Sequence, residues 1–231
     1  MLASWLFIAA TLAAEPAAGA DYEPTSSYKV ESIEGWTVYV SRRLVVDQAD
    51  VGRKVLELVR VKLYDIARQV PEPALGKIRR VPLWLELADK DVKCACYHPS
   101  RAWLAEHGFN PEKARAVEIG NADTFLKWSR VQPSMILHEL AHAYHDRFLG
   151  GYGNPEIAAA HRRAVQSKRY ESVLYYDGKK KAAYAANSPM EYFAELSEAW
   201  FGVNDFYPFV RAEVLQFDPE VAALLAKLWG R

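Results

Sequence analysis

The chain has 231 residues, 51% of them apolar or aromatic, which is enough for one domain with a sizeable core. Lys and Arg total 29 and Asp and Glu total 29, and this zero net charge excludes the basic excess of a typical nucleic-acid binder. Past the N-terminus, no stretch is long and apolar enough to cross a bilayer as a helix.

Residues 1–20 read as a secretory signal. An apolar run over 2–14 precedes Ala18-Gly19-Ala20, which fits a small-x-small cleavage site, although no Lys or Arg precedes the run. The competing reading is an uncleaved anchor. The expectation is an exported protein, secreted or periplasmic, with one mature domain over 21–231 and no membrane attachment after signal removal.

Residues 36–44 read as a strand, because Trp36, Val38 and Val40 alternate with Thr37, Tyr39 and Ser41. Asp47 then caps a helix running to about Val70, with Val51, Val55, Leu58, Val59, Val61, Leu63 and Ile66 on its stripe and Pro71 and Pro73 beyond its end. Residues 81–87 read as a second strand and 92–97 as its hairpin partner. A short helix over 101–107 stops at Gly108. Residues 114–119 form a further strand. Around 117–120 it is a candidate sheet edge, able to take an extended peptide by strand addition. A short helix follows over 123–130.

Pro133 and Gly150-Gly151 bracket the next helix, whose Met135, Ile136, Leu137, Leu140, Ala141, Ala143, Tyr144 and Phe148 leave few polar positions. Such a helix is buried. Asn154 and Pro155 start another, to about Arg169, and Asp177-Gly178 turns a hairpin between 173–176 and 179–184. Strands early and helices late give an α+β fold: a small N-terminal sheet over the central helix, with a mostly helical C-terminal lobe.

Two cysteines, Cys94 and Cys96, stand near His98. A Cys-x-Cys disulfide is strained. Three side chains on one face of a strand could bind a metal, but two small thiols beside a turn at Pro99 is the commoner arrangement.

The central helix carries His138-Glu139-Leu140-Ala141-His142, of the form H-E-x-x-H. Residues four apart share a helix face, so two neutral imidazoles can chelate one zinc ion while Glu139 acts on a water. The bland alternative is two satisfied histidines and a surface glutamate. On a buried helix, however, these polar groups need partners.

A catalytic zinc needs a third protein ligand. The metzincin pattern fails, because its glycine and third histidine would fall at His145 and Phe148. A thermolysin-like glutamate about twenty residues on fails too, because that window holds His161, Arg162 and Arg163. Glu191 is the better candidate. It opens a helix that starts at Ser188-Pro189, and it shares a face with Glu195 and Glu198, like charges that need a cation or donors. Ser188 and Glu191 also form S-x-x-E, the pattern of a capping box, which would occupy the same carboxylate. His145, Asp146, His161 and Glu171 are fallback ligands.

H-E-x-x-H followed by Glu191-Tyr192-Phe193-Ala194-Glu195 resembles the catalytic region of the gluzincin family that includes anthrax lethal factor and the clostridial Pro-Pro endopeptidases. The resemblance covers roughly 115–205. It is specific at the two motifs; the spacing from His142 to Glu191 and the N-terminal half are unmatched, so substrate preference does not carry over. It implies a zincin-like fold, one zinc ion held by His138, His142 and Glu191, and assistance from Tyr184, seven residues before Glu191. Glu195 would orient one histidine through its other ring nitrogen. The expected function is a zinc metalloendopeptidase acting on a peptide or protein, with Glu139 as general base. The alternatives are an inactive zinc-binding domain and a metal hydrolase for a non-peptide amide such as a cell-wall fragment.

Overall fold

The computed structural model describes residues 22–89 and 92–230. The expected signal segment, 1–20, lies outside them. The described chain is α+β. Its strands are β1 (Tyr28–Ile33), β2 (Trp36–Ser41), β3 (Leu83–Leu85), β4 (Ala95–Tyr97) and β5 (Val117–Ile119), which form one sheet in the order β1-β2-β3-β5-β4. Glu34 and Gly35 turn the first hairpin with φ of +50° and +89°, the left-handed backbone that tight hairpin turns require. β3 pairs parallel with β2 and β5, while β4 returns antiparallel to β5.

That order corrects two expectations. Residues 92–97 partner β5, not β3. The edges of the sheet are β1 and β4, whereas 117–120 lies inside it. β4 and β5 are only three residues long, and so short a segment does not show which neighbour it pairs with. β5 is buried at all three positions, as an interior strand should be.

Helix α1 (Ala49–Gln69) lays Val55, Val59, Leu63 and Ile66 into the core. Asp47 does not cap it, because a π-helical turn over Arg43–Asp47 intervenes after β2. α2 (Ala74–Ile78) and α3 (Arg101–Glu106) link the strands, and α4 (Ala122–Trp128) leads from β5 towards the central helix. The central helix is α5 (Met135–Phe148), buried nearly all round. Its N-cap is Ser134, and Gly150 and Gly151, both at φ +86°, stop the chain from continuing it.

Beyond α5 lie α6 (Pro155–Gln166), capped by Asn154, and a two-stranded hairpin of β6 (Val173–Leu174) and β7 (Lys180–Lys181). Then come α7 (Pro189–Phe201), α8 (Arg211–Phe217) and α9 (Pro219–Trp229). Trp229 of α9 stacks on Tyr144 of α5 at 4.3 Å and on Phe193 of α7 at 5.7 Å, while its indole N–H donates to Ser197 Oγ at 3.0 Å. One fully buried ring therefore ties together the two helices that carry the motifs. Burying it stabilises the pairing by several kcal/mol, on the order of 3–5 if judged by truncation to alanine.

Candidate metal centre

α5 and α7 run antiparallel. Ser134 Oγ donates to Val203 C=O at 2.8 Å, His138 Nδ1 meets Glu198 Oε1 at 2.7 Å, and His142 Nε2 meets Glu191 Oε2 at 3.3 Å. Successive turns of one helix thus face successive turns of the other in reverse order. This places Glu191 between both histidines of the H-E-x-x-H motif.

Three potential ligand atoms converge there. His138 Nε2 lies 3.1 Å from Glu191 Oε2 and 3.0 Å from His142 Nε2, and the third side of the triangle is the 3.3 Å already given. Zinc in a tetrahedral site has ligands at about 2.0–2.1 Å, so its donors stand about 3.3–3.4 Å apart. The donor triangle has nearly that size, and its N, N, O composition is that of a catalytic zinc site. The residues present therefore fit the ion.

The S-x-x-E alternative is half realised. Ser188 Oγ accepts from the Glu191 backbone N–H at 3.2 Å, which caps α7. The Glu191 carboxylate takes no part in the cap and points to the histidines instead. Burial would raise its pKa, but hydrogen bonds from His138 and His142 outweigh this and bring it down to about 2. Burial likewise works against a charged His138, and Glu191 and Glu198 override it, raising its pKa.

The partner of His138 differs from the expected one. Glu198 makes the short bond to Nδ1, and Glu195 Oε1 lies 3.7 Å from the same nitrogen. Antiparallel packing is the reason: the turn of α7 that faces His138 is the one bearing Glu198. Burial raises the pKa of both carboxyls, and for Glu195 the neighbouring Glu198 adds to it. Asp205, beyond α7, was not singled out from the sequence. It joins the same acidic wall and accepts from Gln132 Nε2 at 3.0 Å.

His138 and Glu139 border a cleft of about 290 Å³, lined also by Cys94, Ala95, Tyr175 and Tyr184. Tyr184 starts a 3-10 turn, Tyr184–Ala186, and is 46% exposed. His161 Nε2 meets the Ala186 carbonyl of that turn at 3.0 Å, so this fallback ligand supports the Tyr184 turn. The other fallback residues also lie elsewhere. Asp146 accepts from the Tyr97 hydroxyl at 2.7 Å, Glu171 is exposed, and His145 is fully buried with neither ring nitrogen hydrogen-bonded among the described residues. Burial and the nearby His142 depress the His145 pKa to about 4.

Cys94 and Cys96 are both free thiols. Cys94 precedes β4 and its sulfur packs 3.1 Å from Met135 Sδ, whereas Cys96 Sγ lies 3.3 Å from His98 Nε2. Cys96, His98 and Glu118 do cluster on the outer face of the sheet. A cation is already there: Lys113 Nζ sits 2.6 Å from Glu118 and 2.9 Å from Glu86. Burial disfavours the Lys113 ammonium, yet Glu118 and Glu86 hold it charged. This is a satisfied ionic network beneath β4 and β5.

Comparison of the chain with models of known protein families, with curated proteins and with solved structures finds no match to any of them.

Proposed function

We propose that the chain is a zinc metallopeptidase of gluzincin type with a zincin-like fold, exported to the periplasm or medium. The observation that carries this reading is the donor triangle of His138, His142 and Glu191, drawn from two helices and close to tetrahedral dimensions. The carboxylate bonded to the outer nitrogen of His138 supports it, because metal-ligating histidines are usually held in this way.

Zinc bound at this triangle would supply a Lewis acid for a substrate carbonyl and bring the pKa of water towards about 7. The chain's own groups do the rest. Glu139, at the cleft beside His138, takes the proton of the attacking water and passes it to the leaving amine. The hydroxyl of Tyr184, which lines the same cleft, donates to the oxygen that gains charge. Glu198 fixes the tautomer of His138, with the proton on Nδ1 and the lone pair on Nε2 turned inward. An extended peptide has a docking edge at β4, whose N-terminal end borders the cleft. The placement of Glu139 on the cleft favours a catalytic over a purely zinc-binding role, since a structural site does not use that residue.

Elemental analysis of the purified mature chain tests the assignment. One zinc per wild-type chain is expected, with loss or marked weakening in Glu191→Ala. Glu139→Ala should keep the zinc and lose nearly all peptide hydrolysis. Zinc unaffected by Glu191→Ala would remove that ligand, and a wild type that takes up no metal on reconstitution would end the reading.

A further inference from the structure

β4 is an edge strand of the sheet, and the pairing on its other side determines which of its groups face outward. Gly120 N–H donates to Cys94 C=O at 2.8 Å and His98 N–H to Ala116 C=O at 3.0 Å. Cys94, Cys96 and His98 therefore turn their backbone groups towards β5, and Ala95 and Tyr97 turn theirs away from the sheet. Along this free edge runs a groove of about 710 Å³, lined by every residue from Val92 to Ser100. Successive strand residues point to opposite faces, so a groove that touches them all follows the edge of the strand.

The far wall of the groove is aromatic: Trp103 on α3, Phe109 beyond it, and Trp128 at the end of α4. Trp103 stacks on Phe109 at 5.6 Å, and Trp103 and Trp128 are 46% and 43% exposed. Two half-exposed tryptophans on one concave surface leave an apolar patch of the kind that marks a binding site. Among the described residues the lining holds no carboxylate, in contrast to the acidic cleft beside it. Cys94, Ala95 and Trp128 line both spaces, so the groove opens directly into the cleft of His138 and Glu139.

We infer that this groove is a specificity subsite for a large apolar or aromatic side chain of an extended peptide whose backbone pairs with Ala95 and Tyr97. The inference rests on the peptidase reading and adds a substrate class to it. The reacting bond lies at the Cys94–Ala95 end, which borders Glu139. The Trp103–Phe109 part of the aromatic wall lies at the His98 end, with Phe109 5.8 Å from the His98 ring. Residues opposite Cys96 and His98 place their side chains on the same face. At about 3.3 Å per residue, the selected side chain therefore stands about two to four residues from the scissile bond. The absence of carboxylates from the lining selects against lysine and arginine at that position.

The zinc-loaded full chain is incubated with a peptide library randomised on both sides of the cut, and a Phe/Ala peptide pair is then made at the selected position. The wild type is expected to favour the Phe peptide by about tenfold or more in kcat/KM, the worth of one side chain in an apolar pocket. Trp103→Ala should remove most of that preference. No apolar preference at any of those positions, or an equal loss on both peptides, would overturn the subsite and leave the peptidase reading intact. If no library member is cut, the peptidase reading fails, and calorimetric titration of two otherwise identical extended peptides, one with Phe and one with Ala at the central position, decides the groove. Phe-selective binding that Trp103→Ala abolishes retains it, and equal or absent binding overturns it. Self-association of the wild type that Trp103→Ala dissolves would assign the groove to a second copy of the chain and refute a peptide subsite.

Discussion

His145→Phe should stabilise the protein, and by more at pH 5 than at pH 7. The imidazole is fully buried, in T-shaped contact with Tyr152 at 5.3 Å and Phe193 at 5.4 Å, and neither nitrogen has a hydrogen-bond partner among the described residues. Two desolvated nitrogens are a burden of about 1–3 kcal/mol, part of which the larger phenyl ring gives back in crowding, so a gain of about 1 kcal/mol is expected at pH 7. The pH dependence has a definite sign. The folded pKa is depressed to about 4, while the unfolded imidazole titrates near ~6.5. Between those values the unfolded chain binds the extra proton, so wild-type stability falls as pH drops through that window, and phenylalanine carries no such term. At pH 5 the linkage amounts to about 2 kcal/mol, against a few tenths at pH 7. Urea unfolding of both chains in the same metal state, at the two pH values, measures it. A stability gap that fails to widen towards pH 5 would show that His145 is hydrated or charged in the fold. Loss of zinc from His145→Phe would place His145 among the ligands after all.

Glu198→Gln should weaken zinc binding by about 10–100-fold in competition with a chromophoric chelator, because it removes the carboxylate that orients His138. Glu195→Gln should weaken it less, since Glu195 Oε1 stands 3.7 Å from that ring; the reverse order of effects would return the orienting role to Glu195. Tyr184→Phe should lower kcat by roughly 100-fold, the usual scale for one donor to a developing oxyanion, with little change in KM. An unaltered kcat would remove Tyr184 from the chemistry.

The sequence made the site residues easier to find than the scaffold. H-E-x-x-H on an apolar helix is legible because both histidines must share a face and neither can be buried cheaply without a partner. Glu191 was legible as a like-charged neighbour of Glu195 and Glu198 on a helix with too little solvent to screen them. What stayed hidden depends on the pairing of distant segments. Periodicity locates β4 and β5 but does not order them in the sheet, so the edge was assigned one strand too far along. The choice between Glu195 and Glu198 turns on the antiparallel packing of α5 against α7, which no local pattern records. Likewise, Ser188 caps α7 through the Glu191 N–H, and only the packed structure separates that backbone group from its carboxylate.

The acidic surroundings of the two imidazoles bear on whether this arrangement serves more than the fold. Glu191, Glu195, Glu198 and Asp205 line the same stretch between α5 and the chain after α7, and burial raises the pKa of the last three. Two histidines need at most two acceptors for their outward nitrogens, and His138 takes only Glu198 at hydrogen-bond distance on that side. Stabilising a fold does not call for the rest, since replacing buried carboxylates with apolar groups is often neutral or favourable. The sheet's outer face handles its own carboxylates differently, by inserting Lys113 among them. None of the residues lining the cleft is a lysine or arginine; His138 and Lys181 offset part of the Asp205 charge, and a bound cation would offset more. The donor triangle of His138, His142 and Glu191 gives that cation a place of tetrahedral size beside Glu139.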